Sequence, residues 1–200
     1  TNAMPLSAEM EPFKLFMNRL SFKKIAVIRE NSDWGKLRHQ ELLKLAKPAG
    51  FEVIEDVSAA GFDESKLSKS LARIKDRKPQ IIVLLLQKDD IDRVLRIADG
   101  LKYNVPFFST FPGLEAFGTS PRQALYEHLC MSYPYKQLQS DGSFYSKYMR
   151  RAKVAPKIFA NNSYDSVFIS WLAIKVARSR SMPLDRVMRE IQFDGTAAKY

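Results

Sequence analysis

The sequence predicts an α/β protein: a doubly wound, mostly parallel five-stranded sheet flanked by helices, with extra helices toward the C-terminal end. Three observations carry this. Apolar runs of strand length alternate with helical patterns along most of the chain, the grammar of βαβ units. The run Gln80–Leu86 (QIIVLLL) is apolar without alternation, which means both of its faces are covered, as at the centre of a parallel sheet. After about Ser140 the strand-like runs stop and only helical patterns follow.

Taken in order, Ser7–Leu20 reads as a helix with Ser7 as N-cap and Met10, Phe13, Phe16, Met17 and Leu20 on one face. Lys24–Arg29 (KIAVIR) is a first strand, closed by the turn-prone segment Glu30–Gly35. Lys36–Ala46 places Leu37, Leu42, Leu43 and Leu45 around a helix that ends before Pro48 and Gly50. Phe51–Val57 is a second strand, and Ser65–Arg77 a helix buried along Leu67, Leu71 and Ile74, stopped by Pro79. Gln80–Leu86 is the third strand, followed by a helix from about Asp89 to Asp99 with Ile91, Val94, Leu95 and Ala98 in phase. Val105–Ser109 and His128–Ser132 complete the strands, and Ser143–Ala152, Ser163–Ser179 and Pro183–Ile191 are the closing helices. The helix 163–179 is apolar nearly all round, and such a helix expects neighbours on every side. Three divisions follow: an expression scar at 1–3, where Thr1-Asn2-Ala3 precedes Met4; an α/β lobe over 7–139; and a helical segment over 140–200.

Composition narrows the function classes. Two hundred residues, 46% apolar and 27% charged, describe a globular chain of one domain or slightly more. The longest strong apolar run, Ile81–Leu86, is far short of the roughly 20 residues a membrane helix needs. One cysteine, Cys130, excludes an internal disulfide framework, and two histidines, His39 and His128, leave little material for a metal site. A net charge of +10 invites anionic partners. The Lys and Arg are nevertheless spread along the chain and read as general surface charge, so no nucleic acid is expected as a partner. Met4–Leu20 carries Glu9, Glu11, Lys14 and Arg19 and does not read as a secretory leader.

Catalysis finds little support. His39 lies in a helix beside Arg38 and Gln40 and reads as a solvated surface residue. His128 and Cys130 alternate on one expected strand and so share a face, but no oxyanion loop or orienting acid accompanies them, and Cys130 reads as structural. None of the 8 glycines falls in a phosphate-loop spacing. Asp89, Asp90 and Asp92 lack the Gly and terminal Glu of a calcium loop and read as helix N-terminal charge. The expectation is a non-enzyme with no cofactor and no metal.

Several segments resemble a known family. Phe22-Lys23-Lys24-Ile25-Ala26-Val27-Ile28 followed by Asn31-Ser32-Asp33-Trp34-Gly35 is similar to the opening of the second lobe in type I periplasmic binding proteins, the branched-chain amino-acid receptors of ABC transporters above all. The resemblance continues through Gly50-Phe51-Glu52-Val53, Phe62-Asp63, Lys78-Pro79-Gln80-Ile81-Ile82-Val83, Val105-Pro106-Phe107, Tyr164-Asp165-Ser166-Val167 and Phe193-Asp194-Gly195. It implies a flavodoxin-like lobe, a truncated form that holds the second lobe and the helices crossing to a first lobe, and a periplasmic location. It also implies a solute-binding role in an ABC-type uptake system, with a membrane permease as partner of the intact protein. Helix 163–179 would then pack on the first lobe. Without one, its apolar surface would be covered by folding back, by swapping, or by a homodimer.

In a doubly wound sheet, ligands sit beyond the carboxyl ends of the strands. Three loops qualify. In the first, Asp33 or Ser32 would cap the next helix and Asn31 and Ser32 are ordinary turn formers, while the resemblance puts Trp34 over the ligand. In the second, Gln87 stands where the receptors carry an aromatic wall; otherwise it is a polar strand end, with Asp89 or Asp90 serving the helix N-terminus. In the third, Thr110 and Phe111 stand where amino-acid receptors place a carboxylate for the ligand ammonium, and no acid follows until Glu115. A buried ammonium without a counter-charge is costly, which leans the solute toward an aromatic, hydroxylated or anionic small molecule. Tyr133 and Tyr135 are candidate walls or rim aromatics. Two other readings stay open. One is the effector-sensing domain of a regulator or receptor, although Met4–Leu20 holds no helix-turn-helix. The other is a basic α/β domain that binds nucleic acid, which needs its charge gathered on one face.

Overall fold

The computed structural model describes residues 6–59, 63–132, 144–154 and 160–190. The chain divides into two compact units, an α/β unit within Met4–Pro134 and a helical unit within Tyr135–Tyr200.

The α/β unit is one parallel sheet in the order β2-β1-β3-β4-β5. Its strands are β1 (Lys24–Glu30), β2 (Glu52–Ala59), β3 (Ile81–Leu85), β4 (Phe107–Ser109) and β5 (Leu129–Met131). All five residues of β3 are buried, as its unbroken apolarity requires of a strand with neighbours on both edges and helices on both faces. One face is covered by α1 (Leu6–Leu20) and α2 (Asp33–Ala49), with Met10, Phe13, Met17 and Leu42 packed on Ile25, Val27, Ile81, Val83, Leu85 and Phe108. The other face is covered by α3 (Glu64–Asp76), α4 (Lys88–Gly100), α5 (Phe111–Thr119) and a 3₁₀ turn at Gln123–Tyr126. There Leu67, Leu71, Ile74, Ile91, Val94 and Leu95 meet Ile28, Ile82 and Leu84.

Local chemistry sets the helix ends. Asp63 caps α3 by accepting from the Ser65 and Lys66 backbone N–H groups. Ser32 caps α2, its Oγ accepting from Gly35 N–H at 3.2 Å. A Schellman motif closes α2: Gly50, at φ 69°, donates to the Lys47 carbonyl at 3.1 Å, and Phe51 donates to that of Ala46 at 3.0 Å. α2 therefore differs from expectation at both ends. It starts at Asp33 rather than Lys36, and it carries Pro48 inside its last turn instead of stopping before it. α5 and the 3₁₀ turn were not expected at all: Phe111-Pro112-Gly113 reads as a turn, but proline is at home in a first helical turn, where no intrahelical N–H bond is lost.

The helical unit holds α6 (Phe144–Ala152), α7 (Ala160–Arg180) and α8 (Leu184–Glu190). α7 buries Asp165, Ile169 and Ala173 along one stripe. Tyr164, Val167, Phe168, Trp171 and Ile174 form a second, exposed stripe, with Val167 at 72%, where the all-round apolar sequence predicted neighbours. Among the described residues, no helix is long and apolar enough to cross a membrane.

Candidate functional site

The strand order reverses between β1 and β3, because the chain runs outward to β2 and returns past β1. The crevice beyond the carboxyl ends of those strands is where a doubly wound sheet accepts ligands. The ends of β1, β3 and β4 are successive on this edge, spanning about 10 Å at two strand spacings. All six residues singled out from sequence follow one of these ends.

At β1, the strand finishes on half-buried Glu30, and exposed Asn31 and Ser32 make the turn into α2. The Ser32 hydroxyl donates to Glu30 Oε1 while its oxygen caps the helix. Gly35 is buried against the Glu30 carbonyl, leaving no room for a side chain. Trp34 lies in the first turn of α2 rather than in a loop. It packs against the cluster between the sheet and α1 and α2, with the Arg38 guanidinium 3.9 Å above its ring.

At β3, Leu86 is buried and Gln87 is exposed at the N-cap of α4, where its carbonyl accepts from Asp90 and Ile91 N–H groups while its side chain does not cap the helix. Asp89 and Asp90 occupy the first turn of α4. Burial raises the Asp90 carboxyl above its ordinary range, Arg93 opposes this at 3.6 Å, and the charges of Glu30 and Asp89 add to the rise.

At β4, the Ser109 hydroxyl donates to the Leu84 carbonyl at 3.2 Å. Thr110 is 1% exposed and its Oγ1 has no hydrogen-bond partner. Phe111 is half-buried and opens α5 instead of lying in a loop. Next to it, Ser132 at the end of β5 donates its backbone N–H to the Ser109 carbonyl at 3.0 Å, and its buried Oγ likewise lacks a partner. Tyr133 and Tyr135 lie outside the described residues.

The edge thus combines two orphaned hydroxyls on the β4 and β5 side with carboxylates at the switch point. Buried hydroxyls without partners are uncommon and costly, roughly 1–3 kcal/mol each. Sequence reasoning missed Glu30, Ser109 and Ser132 as site groups, and placed Asp90 only as helix charge. Their common signal is a polar residue at the carboxyl end of a strand. His39 also departs from expectation: its side chain is only 14% exposed and lies near Asp56. His128 lies just before β5 and is exposed, whereas Cys130 within it is half-buried. Among the described residues, no group of three His, Cys, Asp or Glu side chains is placed to hold a metal.

The topology is that of a flavodoxin-like lobe, and comparison with known proteins extends it. A family model described as periplasmic binding protein matches residues 7–199. The chain belongs to that family. No curated protein sequence matches it. Three solved structures share the fold over nearly the whole chain. The leucine-, isoleucine-, valine-, threonine- and alanine-binding protein of Brucella ovis, in a closed conformation, superposes with a TM-score of 0.77 at 16% identity, over 97% of this chain and 52% of that one. An amino acid ABC transporter substrate-binding protein from Pseudomonas fluorescens Pf-5 gives 0.77 at 17%, over 98% and 55%. A fatty acid ABC transporter substrate-binding protein from Thermomonospora curvata gives 0.73 at 15%, over 97% and 54%. The chain spans little more than half the length of such structures, between 52% and 58%.

Proposed function

We propose that the chain is a lobe of a periplasmic solute receptor of an ABC-type uptake system, and that its solute sits on the carboxyl edge of the sheet. The observation that carries this reading is the pair of buried, unpartnered hydroxyls, Thr110 Oγ1 and Ser132 Oγ, on the edge where a doubly wound sheet takes ligands. A polar solute supplies the bonds that both groups lack. Asn31, Ser32 and Gln87 line the exposed rim, and Phe111 and Trp34 contribute apolar surface. A second lobe closes over the solute and signals occupancy to a membrane permease.

The solute is an amino acid or a related aromatic, hydroxylated or anionic small molecule. Phe111 in place of an acid speaks against an amine, but Glu30 and Asp90 bring carboxylates to the same edge and favour one. With half of the ligand shell on each lobe, affinity for this chain alone is weak. The test is a panel of amino acids, their amine-free analogues and aromatic acids, titrated into labelled protein and followed by amide chemical-shift changes. Shifts gathered on residues 30–35, 87–90, 109–113 and 132, reduced in Thr110→Val, support the reading. Shifts scattered over the surface, or none with any member of the panel, overturn it.

The exposed stripe of α7 supports a homodimer as a further partner. Residues 135–200 hold twelve Lys and Arg against five Asp and Glu, so pairing of two such surfaces is favoured by salt. A monodisperse monomer by light scattering at high protein and salt concentration refutes it.

A further inference from the structure

We infer that His39, Asp56 and Arg29 form an acid-operated latch at the end of β1, in which a proton on His39 draws the Asp56 carboxylate away from Arg29 and loosens α2 from the two strands beneath it. Side chains alternate along a strand, so Arg29 shares the face of Ile25 and Val27, the face that α1 and α2 cover. The β1–β2 register sets Val27 opposite Asp56, which brings the Asp56 carboxylate diagonally within reach of Arg29. The guanidinium grips it with Nε donating to Oδ1 at 3.0 Å and to Oδ2 at 3.2 Å, and Nη2 donating to Oδ2 at 3.1 Å.

His39 comes down onto this pair from α2. Its Nε2 is buried, has no hydrogen-bond partner, and stands 3.7 Å from Asp56 Oδ2, too far for a bond. The oxygen it faces already accepts twice from Arg29. A neutral imidazole tolerates this arrangement. An imidazolium does not, because a buried cation requires an acceptor, and Asp56 Oδ2 is the one at hand. Closing the gap by less than an ångström pulls that oxygen off the guanidinium fork.

Asp56 of β2 and Arg29 of β1 are the charges that act on the imidazole. The remaining elements against α2 contribute Ile81, Val83 and Leu85 from β3 and Met10, Phe13 and Met17 from α1. Burial pushes the imidazole below its ordinary value, Asp56 pulls it up, and Arg29 pushes it down again, with a net lowering. The unfolded chain therefore takes the proton first. Stability held by neutral His39 is complete above the ordinary histidine value of about 6.5. It is lost as pH falls from there through the lower folded value. Arg29 directly precedes Glu30, so the loosening reaches the β1 end of the solute edge.

With only two histidines in the chain, ring C2–H resonances followed by NMR report both, and His39→Gln assigns them by removing one. The Arg29 Nε–H resonance, assigned by Arg29→Lys, is followed in the same titration from about pH 7.5 to about pH 5. The expected result is a His39 midpoint below the ordinary histidine value, with the Arg29 signal moving at that same midpoint in wild type but not in His39→Gln. Urea unfolding at the two ends of the range should show a loss of stability at the acid end that His39→Gln reduces. An Arg29 signal indifferent to His39 titration, or a midpoint at or above the ordinary value, overturns the latch. Both readings are taken on wild type, and where His39→Gln fails to fold, His128→Gln at an exposed position assigns the two ring signals instead.

Discussion

Gly35→Ala separates a packing constraint at the candidate site from simple helix propensity. Gly35 lies in the first turn of α2 and is buried, where exchanging Gly for Ala would ordinarily stabilise the helix by about 0.8–1 kcal/mol. Here the new Cβ is driven into the Glu30 carbonyl oxygen and lies 2.7 Å from Glu30 Cγ and 3.1 Å from its carbonyl carbon. Two of these three neighbours are backbone atoms, so no side-chain rotation relieves the overlap, and overpacking of this kind costs about 1–3 kcal/mol. Because the overlap is with backbone, the cost lies in the upper part of that range, about 2–3 kcal/mol, which leaves a net loss of roughly 1–2 kcal/mol after the helix gain, or a fall in Tm of about 2–8 °C. Gly118→Ala is the control: Gly118 is also helical, in α5, but has no atom within 4 Å of the position a Cβ would take. It should gain up to about 0.5–1 kcal/mol. Urea unfolding of the three proteins side by side gives the comparison. A Gly35→Ala chain as stable as wild type, beside a stabilised Gly118→Ala, would refute the close approach and with it the geometry given for the Glu30–Gly35 turn.

Other changes test the α/β unit. Tyr126→Phe removes a phenol that donates to Asp92 Oδ1 at 2.9 Å, beside the Ser120 hydroxyl at 2.6 Å; a loss of about 1.5–3 kcal/mol is expected in denaturant unfolding, as for hydrogen bonds to charged groups. Asp63→Ala strips the cap from α3 and should cost about 1 kcal/mol, with Asp63→Asn retaining most of it in the same assay. Leu84→Ala opens a void in the middle of β3, buried on every side, and is expected to cost about 2–5 kcal/mol.

What was legible in the sequence is what repeats. β3 announced itself because a strand covered on both faces has no polar position to spare, and α4 because Ile91, Val94, Leu95 and Ala98 recur at helical spacing and are all buried. α5 was hidden because Phe111-Pro112-Gly113 carries the chemistry of a turn, whereas here Pro112 starts a helix and Gly113 lets it approach Ser109, with Cβ positions 2.9 Å apart. The start of α2 was hidden for the same reason: Asn31-Ser32-Asp33 is equally a turn and a helix cap. His39 could have been found, since it lies in phase with Gly35 and Leu42, both buried. The polar edge could not. Glu30, Asp90, Thr110 and Ser132 are scattered over about a hundred positions, and only the strand order brings them to one edge.

On the proposed reading, that edge also bears on whether the solute carries an amine. Burial raises the Asp90 carboxyl, Arg93 at 3.6 Å offsets this only in part, and the charge of Glu30 adds a smaller push in the same direction as burial. A bound ammonium would relieve the repulsion. Binding of an amine should therefore favour ionised Asp90, and its affinity should rise with pH through the range where that carboxyl ionises, while an amine-free carboxylic acid gains nothing. Opposite charges about 4 Å apart attract by ~4 kcal/mol at an effective dielectric of 20. Partial exposure of both carboxylates reduces this to about 1–2 kcal/mol, or roughly 5–30-fold in affinity. Glu30→Gln should accordingly weaken leucine by that factor and leave 4-methylpentanoate, the same skeleton without the amine, nearly unchanged. Equal weakening of both would mean that Glu30 acts only through the Ser32 and Gly35 turn. If the acid binds better than the amino acid in wild type, Glu30 and Asp90 do not take up an ammonium, and the unpartnered hydroxyls of Thr110 and Ser132 are left to hold the solute's carboxylate.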